Sequence, residues 1–268
     1  MRLVVNAVES FQKIIQNPEK ALSVLKYRTF SVLGISNVRR FIVLSRSRTG
    51  SNMLISLLRS HPNICARGEV VGKLDGRNYK DVLADAFTTK SHLIKASGFK
   101  LFYYHPLDDD SGDLWQDLVN MDDLYVIHLK RRNVLRILIS RKIAESMGQW
   151  IAKDTLDIEA QKDQAQGNKC VYMSVEELTN GFQQTRAWEK RGDAIFSSHP
   201  LITVYYEDLL DELEDNFRKI TDFLDLPFVL PETSLRKQNP EQICDLLENY
   251  YELRESFKGT EWQTYFEE

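Results

Sequence analysis

Cysteine is scarce in this chain of 268 residues: Cys65, Cys170 and Cys244 stand far apart, and no two form a CxxC pair. An odd, scattered set argues against a disulfide framework and against a structural zinc site. It fits a reducing compartment, so a cytoplasmic location is expected. Long apolar runs are also missing. No stretch approaches the roughly 20 residues of a membrane-crossing helix, so no membrane span is expected. The start, Met1 to Val5, is too short for the core of a secretory signal. Neither charge dominates: 35 Lys and Arg stand against 39 Asp and Glu, a formal net charge of -4. That balance gives no global pull toward nucleic acid, and any site for a polyanion must be a local basic cluster. Internal repeats and low-complexity tracts are absent. What is present is core material: 43% of the residues are hydrophobic. That suffices for a single α/β domain over 1–268.

Five short apolar runs read as buried strands: Phe41–Leu44, Ile64–Ala66, Phe99–Tyr104, Leu124–Leu129 and Leu201–Tyr205. Helical patterns lie between them. Residues 1–38 read as an N-terminal helical segment. Asn52–Leu58 is an apolar stripe stopped by His61-Pro62-Asn63, and 75–95 is polar and helix-prone. Val134 to Met147, a stretch bearing Trp188, Glu207–Asp225 and Pro240–Phe257 complete the set. Residues 145–185 are polar, largely without a period, and read as an insertion. Strands alternating with helices predict an α/β fold: a central, mostly parallel five-stranded sheet flanked by helices. In such sheets ligands bind beyond the carboxyl ends of the strands.

Two segments carry chemistry at those ends. The first, Ser45-Arg46-Ser47-Arg48-Thr49-Gly50-Ser51-Asn52, joins the first strand to the following helix. Gly50 permits a tight turn, Thr49, Ser51 and Asn52 supply short donors, and Arg46 and Arg48 add charge. The free N–H groups of a helix start favour an anion there. It is not a Walker A loop, since the GxxxxGK[ST] pattern and its lysine are missing. For the loop alone, a solvated Ser/Arg turn that merely caps a helix is the competing reading. The second segment, His128 to Lys142, holds Lys130, Arg131, Arg132, Arg136, Arg141 and Lys142 without one Asp or Glu. Arg132 ends a strand and Ser140 lies eight residues on, about two helical turns into the helix. A guanidinium and a hydroxyl so spaced suit a second anion, although a basic run of this kind is also a common solvated face.

Two anion sites at neighbouring strand ends suggest a ligand with two separated phosphate groups. Here the sequence resembles a known family. Phe41–Leu54, FIVLSRSRTGSNML, resembles the 5'-phosphosulfate loop of sulfotransferases that use 3'-phosphoadenosine 5'-phosphosulfate (PAPS). Arg132–Ser140, RNVLRILIS, resembles their 3'-phosphate motif. Val204–Leu209, Leu235–Pro240 and the stretches Glu248–Tyr250 and Gly259–Trp262 are similar to the bacterial branch. The family's loop lysine is Arg48 here, which is familiar from the carbohydrate-type branch. The proline two after the 3'-phosphate arginine is Val134, and the lysine-threonine-histidine strand motif is absent.

The resemblance implies the P-loop NTPase-like sulfotransferase fold, with PAPS as donor, 3'-phosphoadenosine 5'-phosphate (PAP) as product, and no metal. It assigns Arg48, Thr49, Gly50, Ser51 and Asn52 to the phosphosulfate, with Arg46 nearby, and Arg132 and Ser140 to the 3'-phosphate. Arg236 and Lys237 would complete that clamp. Glu69, just beyond the second strand, is the favoured general base, with partial burial expected to raise its pKa. His105 is the rival base, His128 reads as structural, and Lys100 could reach the transferring group. Tyr103, Tyr104, Gln149 and Trp150 are candidates for the acceptor pocket, closed by the insertion at 145–185. The acceptor is expected to be a small molecule or a carbohydrate, with a homodimer left open. A nucleotide kinase or NTPase and a non-catalytic PAP-binding protein are the competing readings.

Overall fold

The computed structural model describes residues 38–89, 91–147, 170–233 and 241–267. Its centre is a five-stranded, wholly parallel sheet: β1 (Arg39–Ser45), β2 (Ile64–Arg67), β3 (Ala96–Phe102), β4 (Leu124–Lys130) and β5 (Leu201–Tyr205). The strand order is β2-β3-β1-β4-β5. The helices are α1 (Ser51–Ser60), α2 (Tyr79–Phe87), α3 (Asp113–Val119), α4 (Val134–Met147) and α5 (Val175–Ile195). Then come α6 (Tyr206–Asp211), α7 (Leu213–Phe223), α8 (Ile243–Leu246), α9 (Tyr250–Ser256) and a 3₁₀ turn at Gln263–Phe266.

Alternation along β1 explains the layering. Phe41 and Val43 pack with Leu54, Leu57 and Leu58 of α1 and Phe217 and Ile220 of α7. Ile42 and Leu44 face the other way, toward α2, α3 and Phe196. Both faces of the central strand are thus covered, which is why it reads as an unbroken apolar run. A third cluster joins α4 and α5 to the C-terminal pieces through Phe182, Phe257 and Phe266. Because β1 lies between β3 and β4, the chain reverses its direction of winding there. The crevice beyond its carboxyl end is the topological switch point of the sheet.

Four differences from the expected elements go beyond a residue or two at an end. β3 begins at Ala96 and ends at Phe102, so Tyr103 and Tyr104 stand past the strand rather than in it. The expected helix Glu207–Asp225 is broken at Glu212, whose backbone (φ -133, ψ 59) is not helical. The expected helix Pro240–Phe257 is divided between α8 and α9, where Val171 and Leu247 form a parallel bridge. Residues 170–185 do not read as a free insertion: α5 starts at Val175, capped by the Ser174 hydroxyl, and Phe182 is fully buried. The expectations for 1–37, Gln149, Trp150, the rest of the insertion to 169, Arg236 and Lys237 lie outside the described residues. Among the described residues no helix is long and apolar enough to cross a membrane.

Candidate active site

The loop from β1 to α1 turns through two left-handed residues, Arg48 (φ 68) and Gly50 (φ 97). A non-glycine residue in that region is held against its preference by its surroundings. At Gly50 a side chain has no room: a Cβ there would lie 2.2 Å from Cδ2 of Tyr206. No side chain caps α1. Its start therefore offers unpaired N–H groups and the positive end of the helix dipole to the crevice. Thr49 is buried, and its Oγ1 has no hydrogen-bond partner among the described residues; the same holds for Ser45 Oγ. Buried hydroxyls are seldom left so, and a loop with orphaned hydroxyls at a helix start fits an anionic ligand.

Arg48 links the two anion motifs. Its Nε donates to Ser140 Oγ at 2.9 Å, so the loop after β1 and the second turn of α4 meet across one cleft. Burial pushes the Arg48 pKa down from its ordinary value. Arg131 closes the same corner, donating to the Arg48 carbonyl at 3.4 Å and lying 4.6 Å over the Tyr206 ring. Arg46 behaves otherwise than expected. It is buried and donates to the Thr185 hydroxyl, and its guanidinium lies 5.3 Å over Trp188. Its charge is spent on α5 instead of being added to the loop.

Beside the loop stands a chain of four polar side chains. Lys100, buried in β3, donates to Asn52 Oδ1 at 2.6 Å and pairs with Glu69 Oε1 at 2.8 Å. Glu69 Oε2 lies 3.7 Å from His105 Nε2. Desolvation pushes the Lys100 pKa down, and the Glu69 pairing opposes this. Glu69 keeps much of its contact with water: its side chain is 41% exposed. It does not pair with Arg67, which bonds the Ala86 carbonyl, Ser97 and the Thr88 carbonyl. His105 is buried, and burial holds its pKa down at about 4, so its ring is neutral at ordinary pH. Its Nδ1 accepts from the Phe102 N–H at 3.2 Å. The ring proton of the neutral form must then sit on Nε2, facing Glu69. His105 offers no free lone pair with which to take a proton from a substrate.

Arg132 and Ser140, expected to hold an anion between them, each have a protein partner of their own. Ser140 is held by Arg48, whereas both terminal nitrogens of Arg132 engage Asp208, Nη2 to Oδ2 at 2.9 Å. Arg132 also borders an open cavity of about 630 Å³, together with Arg186, Tyr205, Trp262 and Tyr265. Arg186 ties this side together. It donates to the Arg132 carbonyl at 2.8 Å and to the Tyr265 hydroxyl at 2.8 Å, and pairs with Glu189 at 2.6 Å. Sequence reasoning counted Arg131 in the basic run without giving it a role, and it missed Arg186, Trp188 and Tyr206. Of these three only Tyr206 had a local signal, as part of Val204–Leu209. On the far side of β3 and β4, His128 is fully buried between Asp193 Oδ1 (2.8 Å from Nδ1) and the Tyr103 hydroxyl (2.7 Å from Nε2). Lys130 pairs with the same Asp193 at 2.7 Å. The structural reading of His128 agrees with this full burial.

The fold and site define a class: a parallel α/β sheet with a glycine-turned strand–loop–helix at its switch point and no Walker lysine. The chain is 25% identical over 245 residues to nodulation protein H of Rhizobium tropici, a match that takes in 85% of this chain and 92% of that protein. It is 24% identical to nodulation protein H of Rhizobium meliloti, covering 85% of this chain and 95% of that one. The match to nodulation protein H agrees with the resemblance of the sequence motifs to the sulfotransferases. No family model matches it. Solved structures similar in fold include a sulfotransferase from Alicyclobacillus acidocaldarius. That likeness has 15% identity, 83% of this chain, 89% of that chain and a TM-score of 0.49. The sulfotransferase domain from the curacin biosynthetic pathway shows 12% identity, 72% of this chain, 76% of that chain and a TM-score of 0.45.

Proposed function

We propose that the chain, acting as one sulfotransferase domain, moves a sulfuryl group from PAPS to a hydroxyl of a small-molecule or carbohydrate acceptor and releases PAP. The observation that carries this reading is the Arg48–Ser140 contact. It brings a loop suited to one anion and a helix suited to another into a single cleft, as a nucleotide with phosphates at both ends requires. The orphaned Thr49 hydroxyl, the glycine turn and the uncapped start of α1 support placing the 5'-phosphosulfate at the loop. Arg132 and Ser140 take the 3'-phosphate, Ser140 turning from Arg48 to the ligand. Solved relatives by fold include a mouse sulfotransferase complexed with PAP (TM-score 0.38), which is consistent with that nucleotide. The three reduced cysteines remain compatible with the cytoplasm.

Glu69 is the base in this reading. Its carboxylate takes the proton of the acceptor hydroxyl, and the freed oxygen bonds the sulfur. The bond from sulfur to the bridging oxygen breaks, and its electron pair leaves with the 5'-phosphate of PAP. Charge that grows on the bridging oxygen is met by Arg48 and Lys100. Lys100 reaches both the loop, through Asn52, and Glu69, so one ammonium steadies base and leaving group together. His105, its Nε2 3.7 Å from Glu69 Oε2, faces the base without a direct hydrogen bond to it.

A thermal-shift comparison of PAP, AMP and ATP tests the donor class. Ligand that binds only the native state raises its stability by RT ln(1 + [L]/Kd), about 2.7 kcal/mol at a hundredfold excess over Kd. PAP is expected to raise the melting temperature well above the AMP and ATP values. Equal shifts for all three would reject a site built for the 3'-phosphate.

A further inference from the structure

The short helix α6 touches both anion positions with three successive side chains. Tyr206 packs on Gly50. Glu207 accepts from the backbone N–H of Arg132 at 3.0 Å and of Asn133 at 3.4 Å, at the β4–α4 junction. Asp208 takes both terminal nitrogens of the Arg132 guanidinium, which also lies 4.2 Å over the Tyr205 ring. The two carboxylates differ in kind. Glu207 satisfies backbone donors that any bound state still needs satisfied. Asp208 holds only a side chain, and that side chain is the one assigned to the 3'-phosphate.

We infer that Asp208 is a specificity-determining residue, a carboxylate that stands on Arg132 until a 3'-phosphate replaces it. This rests on the assignment of Arg132 given above. The paired end of a guanidinium presents one fork, and it binds one bidentate anion at a time. A phosphate monoester carries close to two negative charges at neutral pH, against one for the carboxylate, so it wins the exchange. The exchange is cheap because both groups face water: their side chains are 51% and 37% exposed, and open ion pairs are weak. The hydrogen bonds from Arg132 lower the Asp208 pKa, so the carboxylate remains charged at neutral pH. A nucleotide without the 3'-phosphate leaves the pair intact and gains nothing from Arg132. Asp208 therefore reduces the affinity for PAP and leaves that for AMP untouched. Of the neighbouring charges, Glu207 acts on Arg132 and Lys219 on Asp208 through space, while Arg186 meets Arg132 through its backbone carbonyl.

Calorimetric titration of the full chain with PAP and with AMP, at one ionic strength, tests the exchange. The variants are Asp208→Asn, Asp208→Ala and Arg132→Ala, each checked by its melting temperature. Both Asp208 variants are expected to bind PAP roughly 2- to 5-fold more tightly, with AMP unchanged. Arg132→Ala is expected to lose the preference for PAP over AMP. If Asp208→Asn and Asp208→Ala bind PAP no better, while Arg132→Ala loses the preference, the exchange is rejected and the 3'-phosphate assignment stands. If Arg132→Ala keeps the wild-type preference, both are rejected.

Discussion

Two clusters in this molecule are built from the same side chains. On one side, Glu69, Lys100 and His105 meet past the ends of β2 and β3. On the other, Asp193, Lys130 and His128 meet beneath α5, with Tyr103 as the fourth member. Each has a carboxylate about two-fifths exposed, a lysine bonded to it and a buried histidine. They differ in where their bonds go. Both ring nitrogens of His128 are satisfied, and both hydrogen bonds of Lys130 end on Asp193. That cluster is closed and serves to fasten α5 to the sheet. In the other, Lys100 reaches out to Asn52 of the loop helix, and Glu69 lies 3.7 Å from the nearest histidine nitrogen, beyond a direct hydrogen bond. Reactivity follows from an acceptor left with lone pairs to spare, and composition does not reveal it.

The largest test of this contrast is Glu69→Gln. If the open cluster does the chemistry, turnover should fall on the order of 10²- to 10⁴-fold, the usual worth of a general base, while PAP affinity measured by calorimetry stays the same. A matching loss in His105→Asn would move the base to the histidine and undo the tautomer argument.

Acid should strike both clusters through their histidines. Burial holds each imidazole at about 4, below its ordinary 6.5. Between those values the unfolded chain binds protons that the folded chain refuses, so stability falls as pH falls from 6.5 to 4. Above 6.5 neither ring contributes. The loss amounts to roughly 3 kcal/mol per histidine at the acid end. Melting temperatures across this range should drop steeply in the wild type and less steeply in His128→Asn. Identical pH slopes would show that His128 is not held neutral.

The smallest effect is expected in the closed cluster at neutral pH. His128→Asn should cost about 1–3 kcal/mol in denaturant unfolding, since it leaves Tyr103 and Asp193 without their shared partner. Turnover per folded molecule should change by a few-fold at most. A loss comparable with Glu69→Gln would make the two clusters functional equals.

Much of the fold was legible, because a covered parallel sheet writes itself as short apolar runs between helices. The run Leu201–Tyr205 matches β5 exactly as a range, and Phe41–Leu44 lies wholly inside β1. β3 was shifted because its first three residues, Ala96-Ser97-Gly98, are small: Gly98 must be, since a Cβ there would sit 2.0 Å from the Phe41 carbonyl oxygen. Close packing against a neighbouring strand leaves no apolar signal. The break at Glu212 was hidden because Leu209, Leu213, Phe217 and Ile220 keep a helical rhythm across it. The division of the last helix depends on Leu247 meeting Val171 and on Asn249 bonding the Met173 backbone, contacts made across 76 residues.

The site divides in the same way. Arg48, Thr49, Gly50 and Ser140 were singled out because a site for anions would ask for a turn, small donors and an arginine within a few residues of a strand end. The partners were not. That Arg46 would turn to α5, that Arg48 would bond Ser140 while Arg132 took Asp208, and that Glu69 would sit beside Lys100 are choices among charged groups distant in sequence.

By itself, then, the sequence determined the alternation of strands and helices and the glycine turn between β1 and α1, because both depend on periodicity and on residues within one turn of each other. Only the tertiary structure decided which cation holds which anion, since each charge had several partners of equal chemistry and the sheet order alone sets which lie within reach.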